Sequence, residues 1–226
     1  MNILLVYDDG INASRLKKTE DILKKFGDLT VVAPKKQQSG KSIAISIGGF
    51  PYEKIDEKHY AIEGSPADCV LFGKYGLGLD IDIVFSGVNE GYNLGVDTMY
   101  SGTVGAAYQA NYHNMNAVAL SAHQEGDTVL DNDLNQIIDY IFKNKIYSED
   151  YVVNVNFPKE HFVSSKGILN TKTYFLSYDL KTSLQDGKFY IQREIINEKV
   201  PSDSDIYAIN NGYISVSKIK NENSIE

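Results

Sequence analysis

Two carboxylates stand side by side at Asp8-Asp9, one residue beyond the apolar run Ile3-Leu4-Leu5-Val6 and just ahead of Gly10. Adjacent carboxylates at a strand end repel each other unless a proton or a cation intervenes. Such a pair either caps the next helix or holds a divalent ion. Oxygen-only ligands select a hard ion such as Mg²⁺ or Mn²⁺ over zinc. Three other stretches carry matching groups. Gln37-Gln38-Ser39-Gly40 follows a second apolar run, and Ser86-Gly87-Val88-Asn89-Glu90-Gly91-Tyr92-Asn93-Leu94-Gly95 follows a third. Tyr100-Ser101-Gly102-Thr103 then opens an Ala-rich segment. Glycine lets a backbone approach a ligand closely, and N–H groups at a helix start point toward an anion. Ser101-Gly102-Thr103 therefore reads as a phosphate cradle.

These residues share one edge only if the elements before them are parallel strands. Ile3–Val6 is apolar throughout, as expected of a strand buried on both faces. Leu16, Ile22, Leu23 and Phe26 recur at helical spacing among lysines, with Gly27 as a stop. Leu29–Ala33 reads as a second strand, and the alternation of Ile43, Ile45 and Ile47 predicts another with one solvated face. Gly64-Ser65-Pro66-Ala67-Asp68 is a helix start, with a cap, a proline at the first position and an acid in the first turn. Ile81–Phe85, Asn116–Ser121 and Val152–Phe157 complete the strands, with helices over Thr103–Asn114 and around Leu134–Phe142. The alternation predicts an α/β fold with a mainly parallel sheet and helices on both faces, whose ligands sit beyond the carboxyl ends of the strands. The last third differs. Thr173–Leu180 and Lys188–Ile196 flank Asp186-Gly187 as a long hairpin, Tyr213–Val216 is a further strand, and the polar tail from Ser217 is expected to fray. The hairpin either reaches a neighbouring subunit or lies on the edge of the same sheet.

Composition narrows the partners. The chain has 226 residues, 22 Lys+Arg against 30 Asp+Glu, and a net charge of −8. That balance argues against a nucleic-acid duplex or an anionic membrane as the main partner. The single cysteine, Cys69, sits in an apolar helical run as a core residue and leaves no internal disulfide to form. The N-terminal apolar run is too short to span a bilayer and lacks a basic leader, so a cytoplasmic location is expected. His59, His113, His123 and His161 show no metal-ligand spacing; of these His123 alone follows a strand end. Tyr7, Tyr92 and Tyr100 could flank the site.

The ordered set of motifs resembles the SurE (survival protein E) family of nucleoside-monophosphate phosphatases. The matching pieces are Ile3 through Ile11, Ala33-Pro34 through Ser39-Gly40, Gly64 through Val70, Ser86 through Ala107, Asn154 through Pro158, and Ser202-Asp203 through Val216. The resemblance implies that Asp8, Asp9, Ser39 and Asn89 hold one divalent metal ion per subunit. It places Gly40, Asn93, Ser101 and Thr103 around the phosphate, with Gly102 between the last two. It further implies a Rossmann-like three-layer α/β/α body over residues 1–165, with residues 166–226 forming a protruding hairpin arm and a C-terminal segment used in a homodimer or homotetramer. Two departures stand out: Tyr7 replaces the Asn that commonly precedes the acidic pair, and Lys35-Lys36-Gln37-Gln38 replaces a usual Asp-Arg type of loop.

The expected reaction is metal-dependent hydrolysis of a phosphomonoester, with nucleoside 5′- and 3′-monophosphates and short polyphosphate as substrates. Asp8 or Asp9 would act as general base or as nucleophile. Two other classes compete. A receiver-like phospho-signalling module also holds Mg²⁺ on an acidic pair, but it needs a Lys-Pro after the fifth strand. This chain has only the reverse order, Pro34-Lys35 and Pro158-Lys159. A non-catalytic nucleotide-binding relative would keep the site without the turnover.

Overall fold

The structure, a computed structural model, describes residues 1–196 and 199–220. The elements in chain order are β1 (Asn2–Val6), α1 (Ser14–Leu23), β2 (Asp28–Pro34), β3 (Tyr52–Lys54), β4 (His59–Ile62), α2 (Pro66–Leu71) and β5 (Ile83–Glu90). There follow α3 (Asp97–Tyr100), α4 (Gly102–Tyr112), β6 (Asn116–Ala122), α5 (Asp127–Asn144), β7 (Val152–Asn156) and β8 (Ile168–Thr171). The chain ends with β9 (Tyr178–Gln185), β10 (Lys188–Ile195), α6 (Asp205–Asn210) and β11 (Ile214–Ile219).

Nine strands form one sheet in the order β3-β4-β2-β1-β5-β6-β7-β11-β8. From β4 to β7 every neighbouring pair is parallel. The edge strand β3 is antiparallel to β4, and β11 is antiparallel to β7. Strands β2 and β4 build outward from β1 on one side, and the chain then returns to place β5 on the other. The β1/β5 junction is therefore the topological switch point, where a crevice opens beyond the strand ends.

Period-two alternation along β1 divides its side chains between two cores. Ile3, Leu5 and Tyr7 join Leu16 and Leu23 of α1 and Leu134, Ile137 and Ile141 of α5. Leu4 and Val6 join Cys69 and Val70 of α2 and Val104, Ala107 and Ala110 of α4. The start of α2 forms as its sequence dictates. The Ser65 hydroxyl accepts from the Asp68 N–H at 3.1 Å, Asp68 Oδ2 accepts from the Ser65 N–H at 2.8 Å, and Pro66 occupies the first turn.

Several expectations change. Residues 43–47 form no strand. Ser42 donates through its N–H to the Tyr100 carbonyl and through its hydroxyl to that of Met99, and Ser46 donates to Asp68, so the segment crosses the starts of α2 and α4. A Cβ on Gly105 would lie 2.1 Å from the Ser42 carbonyl oxygen, so only glycine permits that crossing. The ladder goes instead to the short strands β3 and β4, which lack a clean alternating pattern. The first hairpin strand starts at Tyr178 rather than Thr173. Ser217–Ile219 are not frayed but belong to β11; the remainder of the expected tail, from residue 221, lies outside the described residues. The hairpin itself is a separate two-stranded sheet, closed by Asp186-Gly187 with positive φ at both positions, as a two-residue turn requires.

One irregularity in β5 aims the site. Ser86 pairs with Ala119 and Asn89 with Ser121, so β5 carries one residue more than β6 over that stretch. A bulge of this kind re-aims the residues after it. Gly87 makes it possible: its φ is +114°, and a Cβ there would sit 2.2 Å from the Leu120 carbonyl oxygen. Gly87→Ala is expected to cost about 3 kcal/mol or more, from strain and backbone clash together. Urea unfolding monitored by circular dichroism reads this directly; an unshifted midpoint would show that β5 does not depend on the glycine.

Candidate active site

Alternation carries the side chain after Val6 and Tyr7 back to the face of α2 and α4, and this is where Asp8 sits, almost fully buried. Its Oδ1 accepts a 2.8 Å hydrogen bond from the Thr103 hydroxyl in the first turn of α4. A side chain on Gly102 would lie 3.3 Å from Asp8 Oδ2 and equally close to the Gln38 carbonyl oxygen, so the start of α4 must be bare to approach. Asp9 turns the other way. It accepts from the Gln37 side-chain amide at 2.9 Å and from the Glu90 backbone N–H at 3.2 Å, which ties the loops after β1, β2 and β5 together.

Burial first, and the neighbouring charge of Asp9 second, push the Asp8 carboxyl up to about 6. The Thr103 hydroxyl and the backbone N–H groups of Asp8 and Thr103 pull the other way without prevailing.

The cleft beyond the switch point has a volume of about 180 Å³. Asp8, Ser39, Gly40, Asn89, Asn93, Ser101 and Gly102 all line it, together with Glu90, Asp97 and Tyr100. The side-chain nitrogen of Asn89 is committed to the Gly91 carbonyl at 2.9 Å, which leaves its amide oxygen for a ligand. Ser101 caps α4 by accepting from the Val104 N–H at 3.1 Å, and its own proton stays available to donate. Thr103 does not line the cleft. It is buried beneath it, and its hydroxyl proton is already given to Asp8.

Asn93 is held from below by a buried polar network. Its N–H donates to Asn156 Oδ1 at 2.8 Å, its side chain donates to Ser121 Oγ at 2.7 Å, and its carbonyl accepts from the side chains of Asn154 and Asn156. The same loop is held from behind by Asp205, whose carboxylate accepts from the backbone N–H groups of Gly95, Tyr174 and Ile206.

Sequence reading missed Arg15. Lying among lysines at the start of α1, it is nonetheless buried. It donates to the carbonyls of Asn89, Ala122, His123 and Gln124 and pairs with Asp127 at 2.9 Å. It thereby clamps the ends of β5 and β6 and offers no charge to Asp8. Glu90 and Asp97, also missed, bring further carboxylates to the cleft. Glu90 stands next to Asn89 in the same motif, whereas Asp97 has no local signal. Tyr100 borders the cleft as expected, but Tyr7 does not. Its ring is buried on the α1/α5 face, and its hydroxyl donates to the Val88 carbonyl at 2.8 Å. Tyr92 lies to one side, with its ring centre 5.8 Å from that of His123.

This order of motifs on this topology is shared with known proteins. The family model described as "Survival protein SurE" matches residues 3–179. The chain belongs to the SurE family. A protein named 5′-nucleotidase SurE from Clostridium botulinum is 34% identical over 97% of this chain and 93% of its own length. One of the same name from Leptospira interrogans is also 34% identical, over 97% and 91%. The crystal structure of the SurE protein from Aquifex aeolicus superposes with a TM-score of 0.84 at 29% identity, covering 99% of this chain and 95% of that one. Within the SurE frame, Tyr7 tethers the β5 bulge from the face opposite Asp8.

The raised carboxyl has a consequence for stability. An acid whose folded pKa of about 6 exceeds its ordinary 3.8 loses its proton first in the unfolded chain. Its folded state is therefore penalised as pH rises through that window, and fully so above it. In chelator-treated buffer, Asp8→Asn is expected to stabilise the protein by about 2 kcal/mol at pH 7.5 and by nothing near pH 3.5. Denaturant midpoints for both proteins at the two pH values test this; a destabilised variant at pH 7.5 would contradict it.

Proposed function

We propose that the protein is a divalent-metal-dependent 5′-nucleotidase that releases phosphate from nucleoside monophosphates. The observation that carries the reading is the buried Asp8, next to Asp9 at the switch point and facing the bare start of α4. The names of the curated relatives support the same activity. Their full-length similarity extends it to this chain.

The donor set suits a hard cation. Asp8, Asp9, Ser39 and Asn89 supply only oxygen, the donor type that hard divalent ions prefer. A bound Mg²⁺ or Mn²⁺ would supply positive charge against the phosphate oxygens and favour deprotonation of water. The chain's own residues do the rest. Ser101 donates its hydroxyl proton, and Gly102 its N–H at the helix start, to oxygens of the phosphoryl group. Asn93 offers the amide hydrogen that Ser121 does not take, and Gly40 leaves room for the ester. Thr103 keeps Asp8 oriented. A carboxylate of the pair accepts a proton from water as the water oxygen bonds to phosphorus and the ester P–O bond breaks. The departing ribose oxygen takes a proton from solvent. A terminal phosphate is all this cleft requires, so 3′-nucleotides and short polyphosphate belong among its substrates.

Assembly is supported by the hairpin. Leu180, Leu184, Phe189 and Ile191 fall on one face, with Leu184 opposite Phe189, while Asp179, Lys181, Gln192 and Glu194 fall on the other. Leu184 is 80% and Phe189 60% exposed, an apolar face that a soluble monomer rarely leaves uncovered. We take it as the contact of a homodimer or homotetramer. Among the described residues no helix is long and apolar enough to cross a membrane. Family membership supports action in the cytoplasm.

Asp8→Asn and Asp9→Asn are each expected to lower metal-dependent phosphate release from AMP at least about a hundredfold, and Thr103→Val about tenfold. A phosphate-release assay with several divalent cations decides it, and full turnover in both Asn variants would sink the mechanism. The double change Leu184→Lys with Phe189→Lys should reduce the sedimenting species to a monomer. A wild-type protein already monomeric at micromolar concentration would remove the assembly proposal.

A further inference from the structure

Beside the cleft lies a second, larger concavity of about 480 Å³, lined by Leu94, Tyr174, Tyr178, Arg193 and Ile206 among others. The two are adjoining: Asp97 lines both. The border between them carries an ion pair. Arg193 reaches from β10 to Asp97, with Nη1 2.5 Å from Oδ1. Its guanidinium lies 5.5 Å from the ring centre of Tyr100, which lines the cleft, and 5.2 Å from that of Tyr178, which lines the groove.

On the hairpin, Arg193 is the charged exception. Its face otherwise carries Tyr178, Leu180, Thr182, Leu184, Phe189, Ile191 and Ile195. A cation is thus set into an apolar face at the place where the arm meets the body. Asp97 holds one edge of the guanidinium and the two phenol rings pack against it, so that a planar cation and two aromatic rings border a mostly apolar hollow. A small number of placed polar groups at the end of an apolar cavity is the usual make-up of a small-molecule site. Planar guanidinium and phenol faces recognise the π-face of a base without reading its edge.

We propose that this groove is the nucleoside subsite, and that Arg193, with Tyr100 and Tyr178, binds the base of a substrate whose phosphate lies in the Asp8 cleft. The inference rests on the nucleotidase reading and deepens it. It makes Arg193 a specificity-determining residue contributed by the hairpin, and it makes selectivity among bases weak.

The test compares AMP with glycerol 2-phosphate, which offers the same scissile group and no ring. In Arg193→Ala, the ratio of kcat/KM for AMP to that for glycerol 2-phosphate should fall about tenfold, chiefly through KM, the size of one stacking contact. Arg193→Lys keeps a charge for Asp97 but no plane, and should not restore the ratio. An equal loss on both substrates, an unmoved ratio, or full recovery with lysine would overturn the proposal, the last by showing that only the ion pair matters. Calorimetric binding of adenosine gives a second readout free of turnover, with at least about tenfold weakening expected in Arg193→Ala. If the wild type releases no phosphate from AMP with any cation yet binds adenosine through Arg193, the nucleotidase reading fails and the groove stands. If AMP is hydrolysed and neither readout moves, the groove fails and the nucleotidase reading stands.

Discussion

The Asp8 carboxylate is charged at neutral pH at a cost, because burial and the charge of Asp9 both favour its protonated form. A protein can relieve such a cost with a fixed counter-charge, and here the means is at hand: Arg15 is buried a few residues along the chain. Yet its hydrogen bonds go to the backbone carbonyls at the ends of β5 and β6, and its ion pair to Asp127. Were Arg15 turned toward Asp8, the carboxylate would be satisfied and closed to any ligand. The structure instead gives Asp8 only partial relief through Thr103 and the start of α4. The remaining electrostatic imbalance is what the proposed cation would relieve.

That arrangement depends on the parity of a single strand. Because β1 is buried on both faces, Ile3, Leu5 and Tyr7 fill one core and Leu4 and Val6 the other, and a slip of one residue would exchange the two sets and misfit both. Tyr7 is thereby committed to the α1/α5 core and Asp8 to α4. The large ring at position 7 does not enter the cleft. It acts from the other face through the Val88 carbonyl, at the bulge that sets the direction of Asn89.

What was legible in the sequence was mostly local. Asp8-Asp9 after an apolar run, the Ser65-Pro66 helix start and the Asp186-Gly187 turn each carry their own conformational cause, and each forms as expected. The alternation of Ile43, Ile45 and Ile47 misled because alternation reports a one-sided surface and not a ladder partner. Ser42 and Ser46 bond instead to the helix starts, and Ile47 is left almost fully exposed. Strand β11 was legible as Tyr213–Val216, but its place between β7 and β8 and the roles of Arg15 and Asp205 depend on contacts far along the chain, for which one sequence holds no signal. Asp205 lies at the start of α6, yet it joins the loop at Gly95 to the segment at Tyr174. The net charge of −8 was equally uninformative about the cleft, because a whole-chain charge does not report local N–H groups such as those at the start of α4.

The hairpin brings the two proposals together on one face. Its eight-pair ladder runs from Tyr178–Ile195 at the body to Gln185–Lys188 at the turn. Side chains two residues apart on a strand lie on the same face, so Arg193 follows Ile191 along β10 and shares its side of the sheet. At the tip this face is apolar and uncovered; at the base it carries the cation paired with Asp97. A partner bound over the tip would restrain the ladder and, through it, the position of Arg193 at the cleft. Substrate recognition and assembly then draw on one element, since an isolated two-stranded sheet is marginally stable in water. The ion pair to Asp97 restrains the base of the arm, and covering the apolar tip would stabilise its other end.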